Sequence, residues 1–202
     1  LSSMDKISFF MDECKRMGIK VLGPDINESI ESFTSDKEGN VRFGLAAVKG
    51  VGEAAMQSIV EERERGGKFR SIYDFMERVN MQAVNRKNIE NMALAGAFDS
   101  ISGFHRSKFF SADQRDSGGA VFLERNTAQQ SLFGGTDIVD IQQPLLPQCP
   151  DWNKLETLNH EKEMIGMYLS SHPLDDYEVV IKRYCNTQLT QFANLNDLRD
   201  KD

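Results

Sequence analysis

The 202-residue chain is poor in cysteine, proline and tryptophan, with three, five and one of them. Cys14, Cys149 and Cys185 lie far apart and none belongs to a CxxC pair. That spacing argues against a disulfide framework and a zinc site and fits reduced thiols. No apolar run approaches membrane-spanning length and no signal peptide opens the chain, so a soluble, cytoplasmic protein with no membrane partner is expected. HExxH, nucleophile-elbow and P-loop patterns are all missing. The formal net charge of −7 argues against a general nucleic-acid coat.

What is present suffices for folding: the hydrophobic share is 40%, and the length allows one large or two small domains with a buried core. Charge is unevenly spread. Residues 41–110 carry eleven Lys/Arg against eight Asp/Glu, whereas 1–40 carry five against eight and 111–202 eight against fifteen. The one basic third is also the one with the most informative turn. Leu1-Ser2-Ser3 does not resemble a native start, and Asn196 to Asp202 has no packed ending, so a piece of a longer chain is expected.

In that basic third, Leu45, Ala46 and Val48 form a short apolar turn, and Ala54, Ala55, Met56, Ile59 and Val60 recur at helical spacing, leaving Glu61, Glu62 and Glu64 wet. Between them lies Gly50-Val51-Gly52. Gly50 and Gly52 permit positive φ and a close approach to the backbone, while Val51 can tuck between the helices. The unpaired amides that follow form the positive end of a helix dipole, an attractive site for an anion, and Lys49 adds a mobile cation. This is the pattern of a helix-hairpin-helix, which holds a backbone phosphate without reading bases. A plain corner between two core helices would use the same glycines. Lys68 and Arg70, after the helix, join the candidate phosphate contacts.

The remainder reads as mainly α-helical. Residues 4–17 predict a core helix with Ile7, Phe10, Met11, Cys14 and Met17 inward and Gly18 as its stop. Ile19 to Leu22 looks extended, and Ser32-Phe33-Thr34 with Val41-Arg42-Phe43 predicts a small β-hairpin around residues 36–40. Ser71 caps a helix carrying Ile72, Phe75, Met76 and Val79, with Asp74 completing an approximate capping box. Asn85 caps another with Ile89, Met92, Ala93 and Leu94 inward, and residues 87–98 resemble half of a second helix-hairpin-helix with a degraded turn. Arg86 and Lys87 sit where cations oppose the helix dipole, which suits either contact with an outside anion or a solvated face.

From Ser102 to Pro150 two further helices, at 106–115 and 120–130, precede a Gly/Pro-marked linker. The linker holds Gln129-Gln130-Ser131-Leu132-Phe133, with two large apolar side chains in a row before Gly134-Gly135. Burying Leu132 and Phe133 in a partner's pocket would contribute roughly 1.5–3 kcal/mol each, less the cost of ordering the segment. Packing on their own domain is the alternative. Further on, Trp152, Leu155, Leu158, Met164 and Ile165 predict an inward face, with Glu156, Glu161, Lys162 and Glu163 solvated. A last helix, 175–184, points Tyr177, Val180, Ile181 and Tyr184 inward.

The chain resembles part of the alpha subunit of bacterial DNA polymerase III, the C-family replicative polymerases. The likeness is carried by FFMDECKRMGIKVLGPDIN at 9–27, VRFGLAAVKGVGEAAMQSIVEERERGGKFRSIYDF at 41–75, NRKNIENMALAGAFDS at 85–100, QQSLFGG at 129–135 and EKEMIGMYLSSHPLDDY at 161–177. It implies that residues 1–35 end a fingers region and that 36–135 form a clamp- and duplex-binding domain with a tandem helix-hairpin-helix. Residues 136–202 are then a linker and helices leading toward an OB-fold. It implies phosphate contact at Gly50, Val51 and Gly52, and binding of the sliding clamp by Gln129, Ser131, Leu132 and Phe133. The implied partners are primer-template duplex, the beta sliding clamp and other replicase subunits. The family's catalytic aspartates and metal-binding PHP domain lie outside these 202 residues. No cofactor is therefore expected in this stretch, with Mg2+ belonging to the full polymerase. A free-standing clamp-binding repair or adaptor protein is one alternative; a small enzyme using His160 with Glu161 and Glu163, or Asp175 with Asp176, is another.

Overall fold

The structure is a computed structural model that describes residues 4–110 and 149–185. It divides into two compact units, Leu1–Ser170 and Ser171–Asp202. Among the described residues the fold is mainly helical with one three-stranded sheet, in keeping with the sequence reading.

Helix α1 spans Met4–Arg16 and ends at Gly18, whose φ of +73° suits a residue without a Cβ. Its apolar stripe is only partly used. Ile7 and Met11 reach the core, but Phe10 and Met17 are 51% and 62% exposed, so the predicted core helix is instead a half-covered one lying beside β1.

Strands β1 (Val21–Leu22), β2 (Thr34–Ser35) and β3 (Val41–Arg42) form a sheet in the order β1-β3-β2. β3 pairs parallel with β1, Val21 opposite Val41, and antiparallel with β2, Thr34 opposite Arg42. The β2–β3 hairpin is the predicted one. Its loop is tied by the Asp36 carboxylate, which accepts from the backbone of Glu38 and Asn40 and from the Asn40 amide. These bonds, the Asn40 side chain first, hold the Asp36 carboxyl below the usual range.

After a 3-10 turn at Leu45–Ala47 come α2 (Glu53–Gly66), α3 (Ile72–Arg78), α4 (Arg86–Leu94) and the short α5 (Asp99–Ser102), a 3-10 turn at Arg106–Phe109, and α6 (Lys154–Ile165). Ser71 caps α3 by accepting from Asp74 N–H, while Asp74 takes the Arg70 amide rather than that of Ser71, a capping box displaced by one residue. Asn85 and Asn88 cap α4 reciprocally at 3.0 Å each way, and Asn153 and Glu156 do the same for α6.

The core gathers Leu45, Val48, Ile59, Ile72, Ile89 and Met92 around an aromatic row, Phe69, Phe75, Phe98 and Phe109, with successive centroids 5.0, 5.1 and 5.4 Å apart. Helix α6 joins this core through Met164 and Ile165 and packs against α4.

Two glutamates expected in water are buried. Glu62 is 8% exposed because Arg78 reaches across from α3 to donate to its carboxylate (3.0 Å), to its carbonyl and to the carbonyl of Gly67. Arg78, with Arg65 second, holds the Glu62 carboxyl below the usual range. Glu161 is 2% exposed, and it accepts from the amides of Leu169 and Ser170 and from the Ser170 hydroxyl. Both positions had read as polar faces because each partner lies on another element.

In the second unit, a 3-10 turn at Asp175–Tyr177 leads into α7 (Glu178–Tyr184). Tyr177, Val180 and Tyr184, expected inward, are 58%, 51% and 75% exposed, and only Ile181 of that set is half-buried. Among the described residues of this unit no second apolar layer faces the helix.

Candidate nucleic-acid interface

The turn that opens α2 is built from its backbone outward. Val48 N–H bonds to Leu45 O and Val51 N–H to Val48 O, coiling the chain tightly before the helix. Gly50 takes φ +79°, and a Cβ there would stand 2.6 Å from Asn91 Nδ2, so both the conformation and the space require glycine. Val51 is 8% exposed and belongs to the core, the tucked position expected of it. Gly52 differs from expectation. Its φ is −78° with ψ 164°, an extended N-cap conformation open to any residue, so positive φ is not its reason. A Cβ at Gly52 would meet nothing within 4 Å. The missing side chain clears space on the outer side, in front of the helix.

That space faces unpaired donors. The first bond of α2 runs from Met56 N–H to Gly52 O, and no side chain caps the helix, so the amides of Glu53, Ala54 and Ala55 are left for an outside acceptor. Lys49 is exposed beside them. The turn is held from behind: Asn91 Nδ2 donates to Lys49 O (2.7 Å), Asn88 Nδ2 to Gly50 O (2.6 Å), and Lys49 N–H to Met164 O on α6 (2.9 Å). Asn88 and Asn91 are 5% and 4% exposed. Sequence reading missed these two; their signal is a pair of amides three apart, each next to an apolar core residue, Ile89 and Met92.

The other predicted cations stand differently. Lys68 and Arg70 follow the far end of α2, a 14-residue helix about 20 Å long at 1.5 Å per residue, so no single phosphate joins them to the turn. Lys68 is paired with Glu28, whose carboxyl it draws below the usual range. The Arg70 side chain is exposed. Arg86 is half-buried, bonded through Nε to Glu90 (2.8 Å), with Nη2 buried and unpartnered among the described residues. Lys87 keeps 73% of its side chain exposed, 3.7 Å from Glu90. The structure thus gathers Lys49, Gly50, Val51 and Gly52 at one place. Asn88, which donates to Gly50 O, is the third residue of the helix that begins with Arg86 and Lys87.

The second, degraded turn is Gly96-Ala97-Phe98, between α4 and α5. Gly96 has φ +84° and Ala97 is fully buried, repeating the first two positions of the open turn. The third does not repeat: Phe98 is 1% exposed, between Phe75 and Phe109. The Arg106 guanidinium lies over Gly96 and grips Asp99 (Nε to Oδ1 2.9 Å, Nη2 to Oδ2 2.6 Å).

Three of the residues read as a possible small active site, His160, Glu161 and Asp175, have other partners. His160 packs its ring on Trp152, centroids 4.4 Å apart, Glu161 is spent on the Leu169–Ser170 backbone, and Asp175 accepts from Ser171 and His172. Among the described residues no group of three or more His, Cys, Asp or Glu is placed to hold a metal ion. No helix among them is long and apolar enough to cross a membrane. Gln129, Ser131, Leu132 and Phe133 lie outside the described residues.

A helix-hairpin-helix motif family matches residues 18–109, the stretch that contains both turns. The chain is 33% identical over 195 residues to DNA polymerase III subunit alpha of Vibrio cholerae, covering 96% of this chain and 17% of that protein. The corresponding subunit of Neisseria meningitidis serogroup B is 36% identical over 200 residues, covering 98% and 17%. That of Saccharopolyspora erythraea is 36% identical over 197 residues, covering 94% and 16%. The chain thus spans about one sixth of the length of these curated relatives. Matching along nearly all of its own length, it belongs to the DNA polymerase III alpha subunit family as one segment of such a subunit.

Proposed function

We propose that this chain is a non-catalytic segment of a bacterial, cytoplasmic DNA-directed DNA polymerase that grips duplex DNA by its phosphates and binds the sliding clamp. The observation that carries the grip is the uncapped start of α2 behind Gly52, with Lys49 exposed beside it. A phosphate oxygen entering that space accepts from amides aimed outward by the helix, and nothing in the contact reads a base. Lys87 is free enough to add a second charge; Lys68 and Arg70 would serve a different stretch of backbone. Clamp binding rests on Gln129, Ser131, Leu132 and Phe133 and their likeness to the family's Q-x-S-L-F peptide. Joining two weak contacts on one chain raises the effective concentration of each for the other, about millimolar for a short flexible tether, which supports processive synthesis. Catalysis with Mg2+ and contacts with other replicase subunits belong to the full polymerase.

Two titrations test this. Leu132→Ala with Phe133→Ala abolishes binding to the purified clamp while the circular dichroism spectrum is unchanged; retained affinity removes the clamp assignment. Lys49→Ala with Gly52→Val weakens binding of two unrelated duplexes equally; loss confined to one of them means base readout instead.

A further inference from the structure

We infer that Glu53 limits how tightly the open turn holds a phosphate: it stabilises the empty helix and opposes the bound anion. This rests on the phosphate grip proposed above. Glu53 is the first residue of α2, next to Gly52, exposed, and the one acid in the first turn. Since Gly52 supplies no cap, the Glu53 carboxylate is what the empty helix has to complement its positive end. Its hydrogen-bond partner is the neutral Gln57 amide, 3.2 Å away. The first-turn acids of α3 and α5 are neutralised, Asp74 by Arg78 and Asp99 by Arg106. Among the described residues no cation pairs with Glu53. Exposed Glu61 and Glu64 continue further along the same helix.

A phosphate on the Glu53, Ala54 and Ala55 amides therefore arrives within one helical turn of an unneutralised carboxylate. Two like charges about 7 Å apart repel enough, even at the dielectric constant of water, to weaken binding about threefold, and more where water is partly excluded. Screening at a Debye length of about 10 Å in 0.1 M salt erodes the effect. Lys49 attracts and Glu53 repels, so the turn holds DNA loosely enough to move along it.

The test uses Glu53→Gln in the full 202-residue chain, titrated with labelled short duplexes of two unrelated sequences over a range of salt, with urea unfolding in parallel. Affinity rises about threefold or more at low salt, equally for both duplexes, and the gain shrinks as salt increases, while the unfolding midpoint falls slightly. Glu64→Gln, eleven residues on, changes affinity far less. Unchanged or weaker binding by Glu53→Gln, or an equal gain from Glu64→Gln, overturns the inference. If Lys49→Ala with Gly52→Val loses affinity while Glu53→Gln gains none, this inference alone fails; if that double variant loses none, the grip fails with it.

Discussion

The two turns, Gly50-Val51-Gly52 and Gly96-Ala97-Phe98, begin alike and end differently. Each starts on a glycine in the left-handed region, at φ +79° and +84°, and each buries its second residue. At the third position one turn has a glycine facing open space, and the other has a phenylalanine in the centre of the aromatic row. The helix behind the first is 14 residues long and uncapped; α5 behind the second has four residues, its leading acid held by Arg106. One backbone corner therefore serves two ends. With glycine in the third place it is an opening toward solvent, and with phenylalanine it is a clasp within the core.

The largest way to break the comparison is at the clasp. Phe98→Ala empties a site between two aromatic rings and should cost about 3–5 kcal/mol, read as a lower urea midpoint, with little change in duplex affinity where the protein remains folded. Next, Asn88→Ala removes half of the α4 capping box and the bond to Gly50 O, costing about 2 kcal/mol and loosening the open turn as well. Unchanged duplex affinity in that variant would separate the Asn88 support from the grip.

The platform of the open turn is also sensitive to acid. Because Arg78 depresses the Glu62 carboxyl, its contribution is fully present above the ordinary carboxylate value and is lost as pH falls through the lower folded value. Urea midpoints of wild type should decline on acidification below that ordinary value. Glu62→Gln starts less stable and declines less over the same range. Parallel pH profiles would show that the Glu62–Arg78 pair carries none of the acid sensitivity.

Local signals were legible before the fold was known. The left-handed φ of Gly50, the Ser71 and Asn85 caps and the Asp36 loop each depend on neighbours within a few residues, and the structure places them as read. What escaped depends on distant partners. Glu62 needed Arg78, Glu161 needed the Leu169–Ser170 turn, and Asn88 and Asn91 needed carbonyls 38 and 42 residues away. Periodicity marked the stripe on α7 but could not say whether anything covers it. Of the two reasons read for Gly52, positive φ does not hold and open space beside the backbone does: the two glycines look alike in sequence, yet one answers to its torsion angle and the other to the space in front of it.

That distinction supplies the most direct test. In a series Gly52→Ala and Gly52→Val, measured for duplex affinity against salt beside urea unfolding, the outward Cβ meets no protein, so stability should change by less than about 1 kcal/mol. Affinity should fall stepwise with side-chain size, and the log-log salt slope should become shallower by about 0.9 if one phosphate contact is lost. Full affinity and an unchanged slope in a folded Gly52→Val protein would contradict the claim that this opening receives a phosphate.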